Sequence, residues 1–257
     1  MTSGTTPLHA LTDTELYLFD TMGFIKFPGF LSRAATQDLL AETRSLPSRM
    51  MAGRGDKERF DDLVGGSAVF ADLVHGDRVL GPAESVINQP FRMVESYALR
   101  RTGPSVFHLH NGHSEVLRYG AGREVRRNMG LHHTYHDGRL YCLLVKTLVY
   151  LTDVVSDEDG PFCYLQGSHK ANFARFPGEE PLADRPPLNR EHFPSLATVA
   201  VRAGDALLLN EALLHGTLPK TTTSERVVLA FSFAPAFVAD WQEIDLTSTE
   251  LRRVGHY

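Results

Sequence analysis

The chain reads as a mainly β fold, a sandwich or barrel, with helices ahead of it. Three observations predict this. From Arg92 onward, short runs rich in β-branched and aromatic residues are divided by Gly, Pro and Asp. Helical periodicity is confined to the segment before them. The strand-like runs follow one another without the intervening helices that a doubly wound parallel sheet needs.

Thr12-Asp13-Thr14-Glu15 matches a capping box, and Leu16, Phe19 and Met22 follow at helical spacing. Gly23 ends that helix, Phe24 to Phe27 gives a short strand and Pro28-Gly29 a turn. Ser32 then caps a second helix running to about Leu46. Residues 47–90 lack a clear period apart from a short helix near Ser67 to Val74. The strand-like runs are 92–100, 104–110, 114–119, 139–152, 161–165, 197–202, 206–210 and 226–233. Pro177 to Pro194 reads as a long surface loop or lid. No repeat or linker divides the chain, so one domain over 1–257 is expected, with a helical part to 90 and a β core over 91–240.

Composition narrows the function. Hydrophobic residues at 42% and charged residues at 22% describe an ordinary folded protein. The net charge of -5 argues against nucleic acid as partner, which calls for a concentrated basic surface. Arg123 to Arg127 is locally basic, a solvated loop or a clamp on an anionic substrate. Cys142 and Cys163 lie in apolar stretches and read as small core residues, as fits a reducing compartment. With neither a signal-like N-terminus nor a run near the roughly 18 apolar residues of a membrane span, a cytoplasmic protein without membrane contact is expected.

The twelve histidines are unevenly placed. His108, His110 and His113 form one cluster, His132, His133 and His136 a second, and His215 stands apart. Two neutral imidazoles and a carboxylate on one face of a metal are what a non-haem iron(II) oxygenase requires. The second cluster, just ahead of the apolar run from Leu140, is placed to supply the proximal ligands. It contains no His-x-Asp; the pairs on offer are His133 with Asp137 and the adjacent His136 and Asp137. Further on, His215 precedes Arg226 by eleven positions. An imidazole on one strand and an arginine on the next suit a metal ligand and a two-point anchor for the far end of a dicarboxylate, with Thr217 adding a hydroxyl.

Together these residues resemble the phytanoyl-CoA dioxygenase superfamily over most of the chain. Tyr17 to Leu31 is similar to its helix, glycine-aromatic strand and following helix. Val149 to Asp153, Asp159 to Phe162 and Leu165-Gln166-Gly167-Ser168-His169-Lys170 resemble its strand, turn and Gly-Ser-His-Lys signature, with Gln166 where proline is usual. Gly204-Asp205 ahead of an apolar strand, and His215 with Arg226, complete the likeness. The resemblance implies a double-stranded β-helix (jelly roll, cupin-like) with N-terminal helices. It also implies Fe(II), 2-oxoglutarate and O2, and hydroxylation or another oxidation of a small molecule with release of succinate and CO2. His215 carries over as distal ligand and Arg226 as cosubstrate anchor; His169 organises its turn.

The expected metal set is His133, Asp137 and His215, with His132 as a substitute for His133. Two alternatives stay open: His136 with Gly138 in the carboxylate's place, which resembles the iron halogenases, or a missing carboxylate and a non-catalytic jelly-roll binding protein. Arg226, Thr217 and Tyr141 are expected at the cosubstrate. His108, His110 and Tyr135 are expected at the substrate, with Arg123 to Arg127 and the 177–194 segment nearby. Oligomeric state is open.

Overall fold

The computed structural model describes residues 10–51, 57–111, 133–171 and 188–237, together with the backbone of strands 114–119 and 123–128. Helix α1 (Asp13–Met22) begins with the expected box: Thr12 Oγ1 accepts from the Glu15 N–H at 3.3 Å and Glu15 Oε2 accepts from the Thr12 N–H at 2.8 Å. Gly23, at φ 77°, donates its N–H to Phe19 and turns the chain into β1 (Phe24–Phe27). Ser32 caps α2 (Arg33–Ser45). Beyond it come β2 (Arg49–Met50), β3 (Lys57–Asp61), α3 (Leu63–Gly66), α4 (Ala68–His75) and α5 (Asp77–Ile87). The expected helix near Ser67 to Val74 is α4. The N-terminal part is not purely helical, and α5, with Gly81 and Pro82 inside it, was hidden by two residues that normally break helices.

The remaining strands are β4 (Phe91–Arg101), β5 (Ser105–His110), β6 (Ser114–Tyr119), β7 (Arg123–Asn128), β8 (His133–His136), β9 (Arg139–Cys142), β10 (Val145–Tyr150), β11 (Phe162–Leu165), β12 (Leu196–Val199), β13 (Ala206–Asn210), β14 (His215–Lys220) and β15 (Arg226–Pro235). The run 139–152 is thus two strands, β9 and β10. β7 and β8 were not expected as strands; β14 was expected only as an unbounded strand carrying His215, and its Gly216 and Pro219 dilute its pattern.

All pairings are antiparallel. A seven-stranded sheet runs β1-β13-β10-β15-β4-β3-β2, and a four-stranded sheet runs β12-β11-β14-β5. β6-β7 and β8-β9 are separate hairpins. The period of two along β13 sorts its side chains: Ala206 and Leu208 join a core with Phe19, Leu80 and Ile87 of the helices, whereas Leu207 and Leu209 join one with Phe162 and Tyr164 of the smaller sheet. With both faces covered, β15 is buried throughout, which is why it reads as one apolar run. Two stacked antiparallel sheets with helices against the larger form the expected mainly β jelly roll. Among the described residues no helix is long and apolar enough to cross a membrane. Residues 177–187 of the expected lid, His113, His132 and the side chains of Arg123 to Arg127 lie outside the described residues.

Candidate active site

The two sheets enclose a cavity lined by Lys57, Tyr97, Arg101, Lys146 and Arg226 of the larger sheet and by Phe107, His110, Phe162, His215 and Thr217 of the smaller. β5 and β14 form its edge. Their register sets His215 opposite His110 and Thr217 opposite Phe107, three residues on β5 spanning what two span on β14. This bulge turns both Phe107 and His110 into the cavity, which a regular strand could not do at that spacing. Gly216 makes the close approach possible: a Cβ there would lie 2.6 Å from the Phe107 carbonyl oxygen and 2.9 Å from that of His108.

At this edge His110, Glu211 and His215 each point one ligand atom inward, all within 4.8 Å of one another. The Nδ1–H of His110 donates to the His108 carbonyl at 3.0 Å, and that of His215 to the Leu213 carbonyl at 2.7 Å. Each ring is thereby fixed with its Nε2 lone pair free, the outer arrangement that orients metal-binding imidazoles. His215 Nε2 is 3.8 Å from Glu211 Oε1, and the rings of His110 and His215 are 4.3 Å apart. Burial, then the neighbouring His215, lowers His110 to about 3, and burial lowers His215, so both rings are neutral. Burial alone would raise Glu211, but the Lys146 ammonium, 3.0 Å away, outweighs it and brings the carboxyl down to about 2. Two neutral imidazoles and an ionised carboxylate suit a divalent iron ion.

The opposite end of the cavity is cationic. Arg226 is 5% exposed, its Nε has no hydrogen-bond partner among the described residues, and Thr217 lines the same cavity. A buried donor without an acceptor fits a site for a carboxylate.

The expected ligands are only partly assembled here. His215 is, and so are Thr217 and Arg226. His133 is not, because both its ring nitrogens are engaged: Nε2 with Asp20 Oδ1 and Nδ1 with Asn210 Nδ2, each at 2.8 Å. Asp137 is not either. It and Gly138 are the two turn residues of the β8-β9 hairpin, at φ 48° and 75°, and the Asp137 side chain is 84% exposed. Positive φ at both positions is what a two-residue type I′ hairpin demands, so this aspartate serves the turn. His136, the other proximal candidate, is exposed beside it, and so is Tyr135. Tyr141 and His108 do not line the cavity. His110, expected at the substrate, stands with His215 instead.

Glu211 was missed altogether. Its signal was a lone acid in the apolar run from Ala206 to Leu214, four residues ahead of His215. His169 does organise its turn: Nε2–H donates to the Asp20 carbonyl at 2.9 Å, joining the Gly-Ser-His-Lys segment to the end of α1. Cys142 and Cys163 are buried free thiols, as expected.

A family model described as phytanoyl-CoA dioxygenase (PhyH) matches residues 19–228. Among solved structures the chain is similar to HygX from Streptomyces hygroscopicus with nickel and 2-oxoglutarate bound, at 45% identity over 96% of both chains and a TM-score of 0.79. The HygX structure that also holds hygromycin B matches at 46% identity, 96% coverage of each and a TM-score of 0.80. The epimerase SnoN from nogalamycin biosynthesis, at 18% identity, 87% and 80% coverage and a TM-score of 0.62, shares the fold. No curated protein matched the chain. The chain belongs to the phytanoyl-CoA dioxygenase family and is an enzyme of the iron(II)- and 2-oxoglutarate-dependent oxygenase class.

Proposed function

We propose that this enzyme oxidises a C–H bond of a small polar molecule of the aminoglycoside kind, with His110, His215 and Glu211 as iron ligands. The observation that carries the metal assignment is the convergence of these three donors at one edge of the cavity. The substrate class rests on the likeness to HygX, a structure of which holds hygromycin B. The net charge of -5 suits a cationic substrate.

Bound iron(II) supplies the chemistry of the class, the coupling of O2 and 2-oxoglutarate to substrate oxidation with release of succinate and CO2. The chain's own part is positional. The His108 and Leu213 carbonyls set the tautomers of the two imidazoles, Lys146 keeps Glu211 ionised, and Arg226 with Thr217 offers the donors for the far carboxylate of 2-oxoglutarate. Phe107 and Phe162 line the wall with apolar surface and keep water out. Glu211 also disfavours a halogenase, because a carboxylate stands where that reading needs an open position.

Succinate formation from 2-oxoglutarate, measured with Fe(II) and a panel of aminoglycosides including hygromycin B, tests the reading. The expected result is turnover stimulated by at least one of them, with product gaining one oxygen atom or losing two hydrogens. A panel that leaves succinate formation at its substrate-free rate would remove the substrate class. A chlorinated product in chloride buffer would restore the halogenase.

A further inference from the structure

Across the three neighbouring strands β3, β4 and β15, the register places Lys57 opposite Arg101 and Arg101 opposite Arg226. All three are buried, at 1%, 1% and 5% exposure, and all three line the cavity. Like charges directly opposite each other destabilise a sheet, and burial deepens the cost. One residue earlier in the chain the opposite arrangement holds. Arg100 pairs with Glu225 at 2.6 Å and with Glu58 at 3.0 Å. Acids therefore neutralise the arginine outside the cavity, while among the described residues no carboxylate pairs with Arg101 or Arg226.

Arg101 is held ready rather than satisfied. Its Nε–H donates to Ser105 Oγ at 2.7 Å, its Nη2–H to the Ser105 carbonyl at 2.6 Å and its Nη1–H to Thr217 Oγ1 at 2.8 Å. A guanidinium carries five N–H donors, so two are left over. All three acceptors are neutral, and burial followed by the charge of Arg226 pulls Arg101 down to about 9. Arg101 thus holds Thr217 through one N–H and faces Arg226 on the next strand, so an anion in this part of the cavity would meet both arginines.

We infer that Arg101 is a second anchor for the remote carboxylate of the cosubstrate, so that this end of the cavity is a two-arginine clamp and not a single salt bridge. The inference rests on the reading of the cavity as the 2-oxoglutarate site. It explains why the sheet tolerates facing guanidiniums: the ligand is the missing counter-charge, and binding it stabilises the fold.

The test uses glutarate, which has the two carboxylates but no keto group, so that the anchor is read without a metal. Calorimetry and thermal melting are run on the metal-free chain. Wild type is expected to bind glutarate and to melt at higher temperature with it, while butyrate, a monocarboxylate, gives a smaller shift. Arg101→Met should weaken glutarate binding at least tenfold and abolish the shift, yet melt no lower than wild type when unliganded. Arg101→Lys should recover part of the affinity, and Arg101→Gln serves if the methionine variant does not fold. An Arg101→Met or Arg101→Gln protein with wild-type glutarate affinity and a lowered melting temperature would make Arg101 purely structural and overturn the proposal. If wild type binds neither glutarate nor, with Ni(II), 2-oxoglutarate, the reading of the cavity fails and takes the clamp with it. Binding of 2-oxoglutarate with Ni(II) unaffected by Arg101→Met would overturn the clamp alone.

Discussion

His133 Nδ1 accepts a hydrogen bond from Asn210 Nδ2 at 2.8 Å, one residue before Glu211, while its Nε2–H reaches back to Asp20 in α1. The imidazole is a strut between the N-terminal helix and the strand that leads to Glu211 and the proposed metal site. His133→Ala should keep wild-type iron stoichiometry but lose about 2–3 kcal/mol of stability, since it leaves polar partners unsatisfied. His110→Ala, Glu211→Ala and His215→Ala should each fold and lose iron. Metal analysis alongside denaturant unfolding separates the two classes. Iron loss in His133→Ala at full stability would contradict the assignment.

Asp137 gives a complementary case. Alanine at φ 48° in a type I′ turn should cost about 1 kcal/mol, while asparagine should be close to neutral. Neither should alter iron or 2-oxoglutarate binding, which equilibrium titration of both variants would check.

Gly216 should be intolerant of even one methyl group. Gly216→Ala must push β14 away from the Phe107 and His108 carbonyls, at a cost of about 2–3 kcal/mol. Because the same displacement parts His110 from His215, iron affinity should fall with stability. A variant that melts like wild type and holds iron as tightly would show that the strands can separate freely.

His169 should impose a pH dependence on stability. Its Nδ1 is buried without a partner, and burial lowers the ring to about 4 from an ordinary 6.5. Between those values the unfolded chain binds the extra proton, so stability falls as pH drops from 6.5 toward 4, by about 3 kcal/mol in total. Urea unfolding across this range should show the slope, and His169→Gln should flatten it. Asp205 acts in a lower window. Burial raises it, but the N–H groups of Arg202 and Gly29 and then Lys26 outweigh burial, so its contribution disappears only below its ordinary 3.8.

Local signals recovered the capping box, the turn at Gly23 and most strands, because each depends on neighbours in sequence. What escaped depends on pairing between distant segments. That His110 meets His215 follows from a bulge in β5, and no period along residues 105–110 announces it. The His-rich turn misled because histidines next to an aspartate look like ligands. Asp137-Gly138 between two short strands was in fact the plainer hairpin signal, and a buried polar strut leaves the same sequence trace as a ligand. Glu211 was visible as a charge in an apolar run, but its meaning came only with Lys146 and His215 around it.

The bulge in β5 also makes the site a matter of counting. Ironing the bulge out at unchanged length would rotate one of Phe107 and His110 out of the cavity, whereas deleting one of the residues between them would leave a regular ladder with both still on one face. The extra residue should therefore be separable from the ligand set, and a single-residue deletion between those two positions should be better tolerated than a single-residue insertion, which enlarges the mismatch with β14.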